Sequence, residues 1–203
     1  KFAHFIYFME EAELIHRCLK HDRNAECVLC EQYFGKMMGI CLRYSKSRQE
    51  AEEIFCNGFV DIFTDMKEFM NENSKRKKDA PPVSLEEWIK KMIIKSAINL
   101  LHKNKKEYFV SSTVSVRDTK PHFAETTENI SDKQLTDKID FQLVLKAIQQ
   151  LSPSYRTVYY LYELDGYPHK KISALLDISE DTSKDNLLKA KYNIRRNLLQ
   201  MIQ

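Results

Sequence analysis

Gly166-Tyr-Pro-His-Lys-Lys-Ile-Ser-Ala-Leu-Leu-Asp-Ile-Ser-Glu-Asp-Thr-Ser-Lys-Asp-Asn-Leu-Leu-Lys-Ala-Lys191 decides how the whole chain is read. Ile172, Leu175 and Leu176 recur at helical spacing, and Asp177-Ile178 then breaks the pattern. Ser179 is a good N-cap residue, with Glu180 and Asp181 favourable in the positive first turn that follows. In the next helix Ser183, Leu187, Ala190, Ile194 and Leu198 share one face, while Thr182, Lys184, Asn186, Lys189 and Lys191 occupy the other. A short helix, a tight turn and a longer polar-faced helix make a helix-turn-helix, whose second helix can enter a DNA major groove. A helical hairpin in a bundle core would show the same apolar spacing, so what precedes the motif must decide.

Immediately upstream, Phe141, Val144, Leu145, Ile148 and Leu151 keep helical spacing, and Ser152-Pro153 places Pro at the first position of a helix through Val158, Leu161 and Tyr162. Asp165-Gly166 then turns the chain into the motif. Farther back, from Glu107 to Lys138, Ser, Thr, Lys and Asp dominate and periodicity vanishes. We read residues 107–138 as an acidic, extended interdomain linker. Before it stands a helix opened by Ser84 with Glu87 three residues on, a capping box. Its residues Trp88, Ile89, Met92, Ile93, Ala97, Leu100 and Leu101 cover most of its circumference, so it should be the buried helix of a bundle. Residues 70–83 are expected to be a loop, with the basic run Lys75-Arg76-Lys77-Lys78 and a helix-excluding Pro81-Pro82. A long helix capped by Ser45 carries the stripe Ala51, Ile54, Phe55, Gly58, Phe59, Ile62, Phe63, Met66 and Phe69. Glu50, Glu53, Asn57 and Asp61 lie on its outer face, a pattern that by spacing alone is a solvated surface. Two earlier helices, with a turn at Asp22-Arg-Asn24, place Leu14, Ile15, Cys18, Leu29, Tyr33, Met37, Ile40, Cys41 and Tyr44 inside.

The expected fold is therefore all-α: two helical bundles joined by an extended linker. Its 203 residues suffice for two small cores, and four Gly and five Pro are few enough for a helical protein. A net charge of +3 is too mild to name a partner. The five cysteines are odd in number and fall inside periodic helices, which suits a reducing cytoplasm. Cys27-Val-Leu-Cys30 lacks a second ligand pair at zinc-site spacing, so neither metal nor cofactor is expected. No apolar run reaches the ~18–20 residues of a membrane helix, and the short Phe2–Met9 stretch, followed by Glu10-Glu11, is no convincing signal peptide. No HExxH, GxSxG or phosphate-loop pattern occurs, so an enzyme is not expected.

Two stretches carry a family resemblance. Tyr33-Phe-Gly-Lys-Met-Met-Gly-Ile-Cys-Leu-Arg-Tyr44, the Glu50-Ala-Glu-Glu-Ile54 helix start, Trp88-Ile89 and Ala97-Ile-Asn99 look like the promoter-melting domain (region 2) of bacterial RNA polymerase sigma factors of the extracytoplasmic-function (ECF, sigma-E-like) group. Ala147-Ile-Gln-Gln-Leu-Ser-Pro-Ser-Tyr-Arg-Thr-Val158, Leu161-Tyr162, Asp165-Gly-Tyr167, His169-Lys170 and Ile178-Ser-Glu180 resemble that group's promoter-reading domain (region 4). The resemblance implies an N-terminal extension over 1–13, region 2 over 14–106 with an inserted loop at 70–83, the linker at 107–138, and region 4 over 139–203. It also implies transcription initiation in the cytoplasm, with core RNA polymerase (beta and beta-prime subunits) and promoter DNA as partners. An anti-sigma factor or a DNA-targeting recruiting protein would be a further partner. Glu50, Glu52, Glu53, Asn57 and Asp61 would dock on the polymerase clamp. Lys90, Lys91, Lys95, Asn99, His102 and Lys103 would hold the single-stranded minus-ten element, and Thr182, Lys184, Asp185, Asn186 and Lys189 would read the minus-thirty-five element.

Departures from the family pattern carry information. Lys95 stands where Asn is usual, Asn99 where Asp is, His102 where Arg is, and Cys56-Asn57 replaces a Gln–acid pair. Asp177 occupies the Gly position of the turn, and Pro168 a common Ser/Thr cap. Asp181 and Asp185 put carboxylates on the DNA-facing surface, where phosphates repel them. The expectation is a divergent sigma factor with weak or altered promoter reading that needs a recruiting partner. The competing reading is a helix-turn-helix regulator that acts without being a polymerase subunit.

Overall fold

The computed structural model describes residues 10–75, 81–103 and 140–202. Among these, every regular element is helical. The linker expected at 107–138, residues 1–9 of the N-terminal extension and most of the basic run after Lys75 lie outside the described residues. The chain divides into two compact units, Lys1–Leu100 and Leu101–Gln203, with the division falling in the last turn of one helix.

The first unit holds α1 (Glu11–Cys18), α2 (Arg23–Tyr44), α3 (Arg48–Lys75) and the start of α4 (Leu85–Lys103). Glu11–Glu13, ascribed above to the extension, form the first turn of α1. The turn before α2 is stabilised by Asp22, whose carboxylate accepts from the Asn24 N–H at 2.9 Å and from Arg17 Nε at 2.7 Å. The Arg17 hydrogen bond holds this carboxyl below the usual carboxylate range, so it stays an ionised cap. His21, just before it, takes a left-handed φ of 56°.

Ser45 does not open α3. It is buried and ends α2, its N–H donating to Cys41 O at 3.1 Å. Ser47 is the cap instead: the Glu50 N–H donates to Ser47 Oγ at 3.2 Å, and the Glu50 carboxylate reaches back to the Lys46 N–H. Ser47-x-x-Glu50 has the spacing of a capping box, with the glutamate bonding the N–H of Lys46, one residue before the cap.

α3 also runs farther than expected, to Lys75 rather than stopping before Met70. The reason lies in Asn73, whose side-chain amide donates to Val83 O at 3.1 Å while its oxygen accepts from the Val83 N–H at 2.9 Å. That two-way bond fastens the last turn of α3 to the segment leading into α4. Ser84 caps α4 as expected, accepting from the Glu87 N–H at 3.2 Å.

The core of this unit matches the apolar stripes closely. Ala25, Leu29, Cys41, Ala51, Ile62, Met66, Ile89, Ile93 and Ala97 are wholly enclosed. Trp88 is buried against Phe69, ring centroids 5.1 Å apart. α3 and α4 pack closely at Gly58, where an added Cβ would stand 2.5 Å from Ile93 Cδ1. Ser96, buried on α4, donates to Ile54 O of α3 at 3.1 Å, so its hydroxyl is satisfied at this crossing.

The second unit contains α5 (Phe141–Gln149), α6 (Pro153–Tyr159), a π-helical turn (Tyr160–Leu164), α7 (His169–Leu176) and α8 (Glu180–Ile202). α5, α6 and α7 all pack on α8. Ser183, Leu187, Ala190, Ile194 and Asn197 of α8 are buried against them. Asn197 donates to Ala147 O at 3.1 Å, which ties the end of α8 to α5. Two local features depart from the periodic reading. Phe141 is 72% exposed: it follows the cap Asp140 as the first residue of α5, ahead of the buried Ala147 and Ile148. The helix through Leu161 and Tyr162 is not α throughout, since the Asp165 N–H donates to Tyr160 O and widens its last turn.

Candidate nucleic-acid interface

α7 and α8 form the helix-turn-helix. Asp177 ends α7 in the left-handed region (φ 54°, ψ 50°), a conformation Asp tolerates better than most residues. Its N–H and that of Ile178 both turn back toward Ser173 O, the latter at 3.1 Å, which terminates α7. Ser179 then caps α8 by accepting from the Thr182 N–H at 2.9 Å. Pro168 provides no side-chain cap to α7. His169, the first α7 residue, bonds Ser183 Oγ of α8 at 3.0 Å, and Tyr162 stacks on its ring at 4.4 Å. The two helices are thus locked by a polar contact the apolar pattern gave no sign of.

The candidate residues on α8 do not share one face. Thr182, Asn186 and Lys189 follow at i, i+4 and i+7, forming one stripe. Thr182 Oγ1 is already engaged with Ser179 Oγ at 2.8 Å, and Asn186 and Lys189 are half-buried. Asp185 belongs to the neighbouring, more outward stripe. Lys184 lies on the far flank, 3.4 Å from Glu180 and 3.6 Å from Asp181. These carboxylates, Glu180 first, raise its affinity for its proton.

On α4, Lys91, Lys95, Asn99, His102 and Lys103 are exposed, whereas Lys90 is half-buried. Lys90 turns instead into an open cleft of about 600 Å³ shared with Glu11, Tyr33, Lys36, Arg43 and Glu87. Lys36 and Arg43, cations of α2 beside this cleft, were not singled out by sequence, because each looks like an ordinary surface residue of its helix. Lys95 stands 3.9 Å from Asp65 of α3. Trp88 serves the core rather than the surface.

On α3, Glu50, Glu53, Asn57 and Asp61 recur at i, i+3, i+7 and i+11, one continuous face. Glu52 departs from it and pairs with Arg48 at 2.9 Å. Glu50 has the capping task described above. Val60, 63% exposed, adds an apolar contact point beside this face that the polar reading passed over.

Cys27 and Cys56 are exposed, and Cys18 and Cys41 are buried. Burial pushes the Cys30 and Cys41 thiols up to about 12 and the Cys18 thiol to about 11. Among the described residues, no group of three or more His, Cys, Asp or Glu side chains is arranged to hold a metal ion. Nor is any helix among them long and apolar enough to cross a membrane.

Comparison with known proteins bears on these faces. Residues 141–194, which include α5 through most of α8, match the family model described as Sigma-70, region 4. Along nearly its whole length the chain is similar to the RNA polymerase sigma-H factor of Pseudomonas aeruginosa, 21% identical over 199 residues and covering 96% of each chain. It is also similar to the ECF RNA polymerase sigma-E factor of Haemophilus influenzae, 20% identical over 196 residues, covering 94% of this chain and 96% of that one. Among solved structures, the sigma factor RpoE in complex with the anti-sigma factor NepR from Bartonella quintana aligns with a TM-score of 0.46 and 15% identity, over 86% of this chain and 96% of that chain.

Proposed function

We infer that the chain is a bacterial RNA polymerase sigma factor of the extracytoplasmic-function group, and its surfaces are interpreted from that premise. It binds core RNA polymerase and directs it to promoter DNA for transcription initiation. The observation that carries this reading is a coincidence of two findings. The region 4 match falls on the residues that build the helix-turn-helix around Asp177, and the alignments to two sigma factors extend over nearly the whole chain. Sigma factors are not an enzyme family, and the place of action we propose is the cytoplasm, where polymerase works.

The face Glu53, Asn57 and Asp61 of α3, with Val60 beside it, supplies the polymerase-docking surface in our reading. Carboxylates there steer a basic partner surface and an apolar centre supplies the desolvated contact. Glu50 chiefly holds the start of α3, and Glu52 contributes through its pair with Arg48. The α4 surface of Lys91, Lys95, Asn99, His102 and Lys103 runs along the single-stranded minus-ten element, with Lys90 directed into the adjoining cleft. Cations neutralise phosphates there, a sequence-independent contribution that falls with salt. On α8, Asn186 and Lys189, with Thr182 at their head, are the groups suited to base edges in the minus-thirty-five groove.

Promoter reading by α8 is weak in this proposal, because Asp181 and Asp185 face the same way as the groove-entering surface. A recruiting protein or an anti-sigma factor then acts as a further partner. The test is reconstitution with core polymerase. Co-elution and initiation from a promoter library are expected, with a diffuse minus-thirty-five preference. A chain that fails to associate with core polymerase refutes the function, and a sharp two-element consensus without other factors refutes the weak reading.

A further inference from the structure

Within the cationic surface of α4, Lys95 meets a carboxylate with no role so far, that of Asp65 on α3, at 3.9 Å. Lys91, Lys95 and Asn99 follow at i, i+4 and i+8, so they line one edge of α4. α3 and α4 are packed side by side through Gly58, Ile93 and the Ser96–Ile54 bond, which holds the edge of α3 carrying Asp65 against that row. The side chains of Asp65 and Lys95 are 33% and 59% exposed, so a molecule that reaches the ammonium from solvent also meets the carboxylate. At 3.9 Å the two attract each other but lie beyond the ~3.2 Å limit of an N–H···O bond, so neither uses up the other's hydrogen-bonding capacity. An exposed pair of this kind contributes little to stability.

Such a pair suits a base better than a phosphate. A phosphate drawn to Lys95 would be pressed against a carboxylate, and the pair as a whole is neutral. An ammonium only donates and a carboxylate only accepts, so side by side they match an edge that carries both an acceptor and a donor. The Watson–Crick edges of cytosine, adenine and guanine each carry an exocyclic amine and an acceptor, and in an unpaired strand those edges are open. Thymine has no amine, and its ring N–H lies between two carbonyl oxygens that a carboxylate repels. We propose that Asp65 is a specificity-determining residue for the unpaired strand: its carboxylate takes the amine of one base, Lys95 donates to an acceptor on the same edge, and thymine is rejected there. The inference rests on the sigma-factor reading and deepens it, because it moves Lys95 from phosphate contact to base reading and leaves Lys91 and Lys103 to the backbone.

The test is selection of single-stranded oligonucleotides of random sequence by the full chain bound to core polymerase. The parent should exclude thymine about tenfold or more at one position. Asp65→Asn, of the same shape but able to donate to a carbonyl, should bring thymine there to within about twofold of the other bases. It should also steepen the fall of log affinity with log salt by about 0.7, because Lys95 becomes free to neutralise one phosphate. Lys91→Gln should do the reverse, flattening that slope by about 0.7 with the base preference intact. Unchanged helical circular dichroism shows that each variant is folded. Thymine tolerated by the parent at every position, or every thymine exclusion surviving Asp65→Asn, overturns the proposal. So does a uniform gain in affinity for all sequences, which would make Asp65 only a brake on phosphate binding. A parent chain not retained by core polymerase strikes the function above and this inference with it, whereas retention with thymine tolerated strikes the inference alone.

Discussion

Gly58 and Ile93 offer a test of how α3 and α4 are held together, and so of how the proposed docking face is positioned. An alanine at 58 would put its methyl 2.5 Å from Ile93 Cδ1, well inside van der Waals contact. Ile93 is fully enclosed, so its side chain cannot simply swing aside. Overpacking of this kind costs about 1–3 kcal/mol, and the better helix propensity of Ala returns about 0.8–1 kcal/mol. Gly58→Ala alone should therefore destabilise by about 0–2 kcal/mol. Ile93→Val alone removes Cδ1 and should cost about 0.5–1.5 kcal/mol. Together they should behave differently. With Cδ1 gone, the nearest remaining neighbours of the new methyl are Ser96 Cβ at 3.5 Å and Ile93 Cα at 3.6 Å, which are ordinary contacts. The clash disappears, the propensity gain remains and the methyl occupies part of the vacated space. The double variant should lie within about 0.5 kcal/mol of the parent, a favourable coupling of about 1 kcal/mol or more. Native-state hydrogen exchange at α3 and α4 amides in the full chain reads this unit without assuming that both units unfold together. Additivity to within about 0.3–0.5 kcal/mol would refute the close crossing.

Other outcomes follow from single features. Asp177→Gly should stabilise the second unit by about 0.5–1 kcal/mol and Asp177→Val destabilise it by more, read by thermal unfolding, because the left-handed geometry is strained for a β-branched residue. The raised thiols of Cys18, Cys30 and Cys41 remain protonated at pH 8, so brief alkylation followed by mass spectrometry should label Cys27 and Cys56 and spare the other three. Equal labelling of all five at pH 8 would contradict the burial. Asn73→Ala should cost about 1–3 kcal/mol, since it removes two bonds and leaves the Val83 amide unpaired, with the faster exchange confined to the end of α3. Asp61→Lys should lower retention on core polymerase without changing the melting temperature, measured by co-elution against thermal unfolding of the same sample.

The helical core was legible because burial along a helix is periodic. Leu29, Tyr33, Met37 and Tyr44 on α2, and Ile54 through Phe69 on α3, announce their face by spacing alone. The helix-turn-helix was legible for the same reason, with Ser179 as cap and Asp177 as the left-handed residue. What spacing could not convey was competition between chemically similar candidates. Ser45 and Ser47 are both good caps, and only the glutamate three residues after the second decides for Ser47. Asn73 looks like a loop residue, and its pairing with Val83 depends on a partner ten positions away. The candidate site divides in the same manner. Residue type placed Lys184 and Lys90 among the cations facing nucleic acid, but helical phase turns one toward Glu180 and the other into a cleft. Leu188 and Tyr192 were passed over because an exposed apolar residue is common on any protein surface.

The two-way bond between Asn73 and Val83 has a practical corollary for the stretch of chain it brackets. Its two ends are bolted side by side, so the helices on either flank register only that the circuit closes, not how long it is. Closure entropy grows with the logarithm of length, and doubling the bracketed stretch should cost only about 0.6 kcal/mol. A tag, a protease site or a donor sequence spliced between Lys75 and Pro81 should thus leave α3 and α4 in register, which makes this position a natural cassette for engineering the protein.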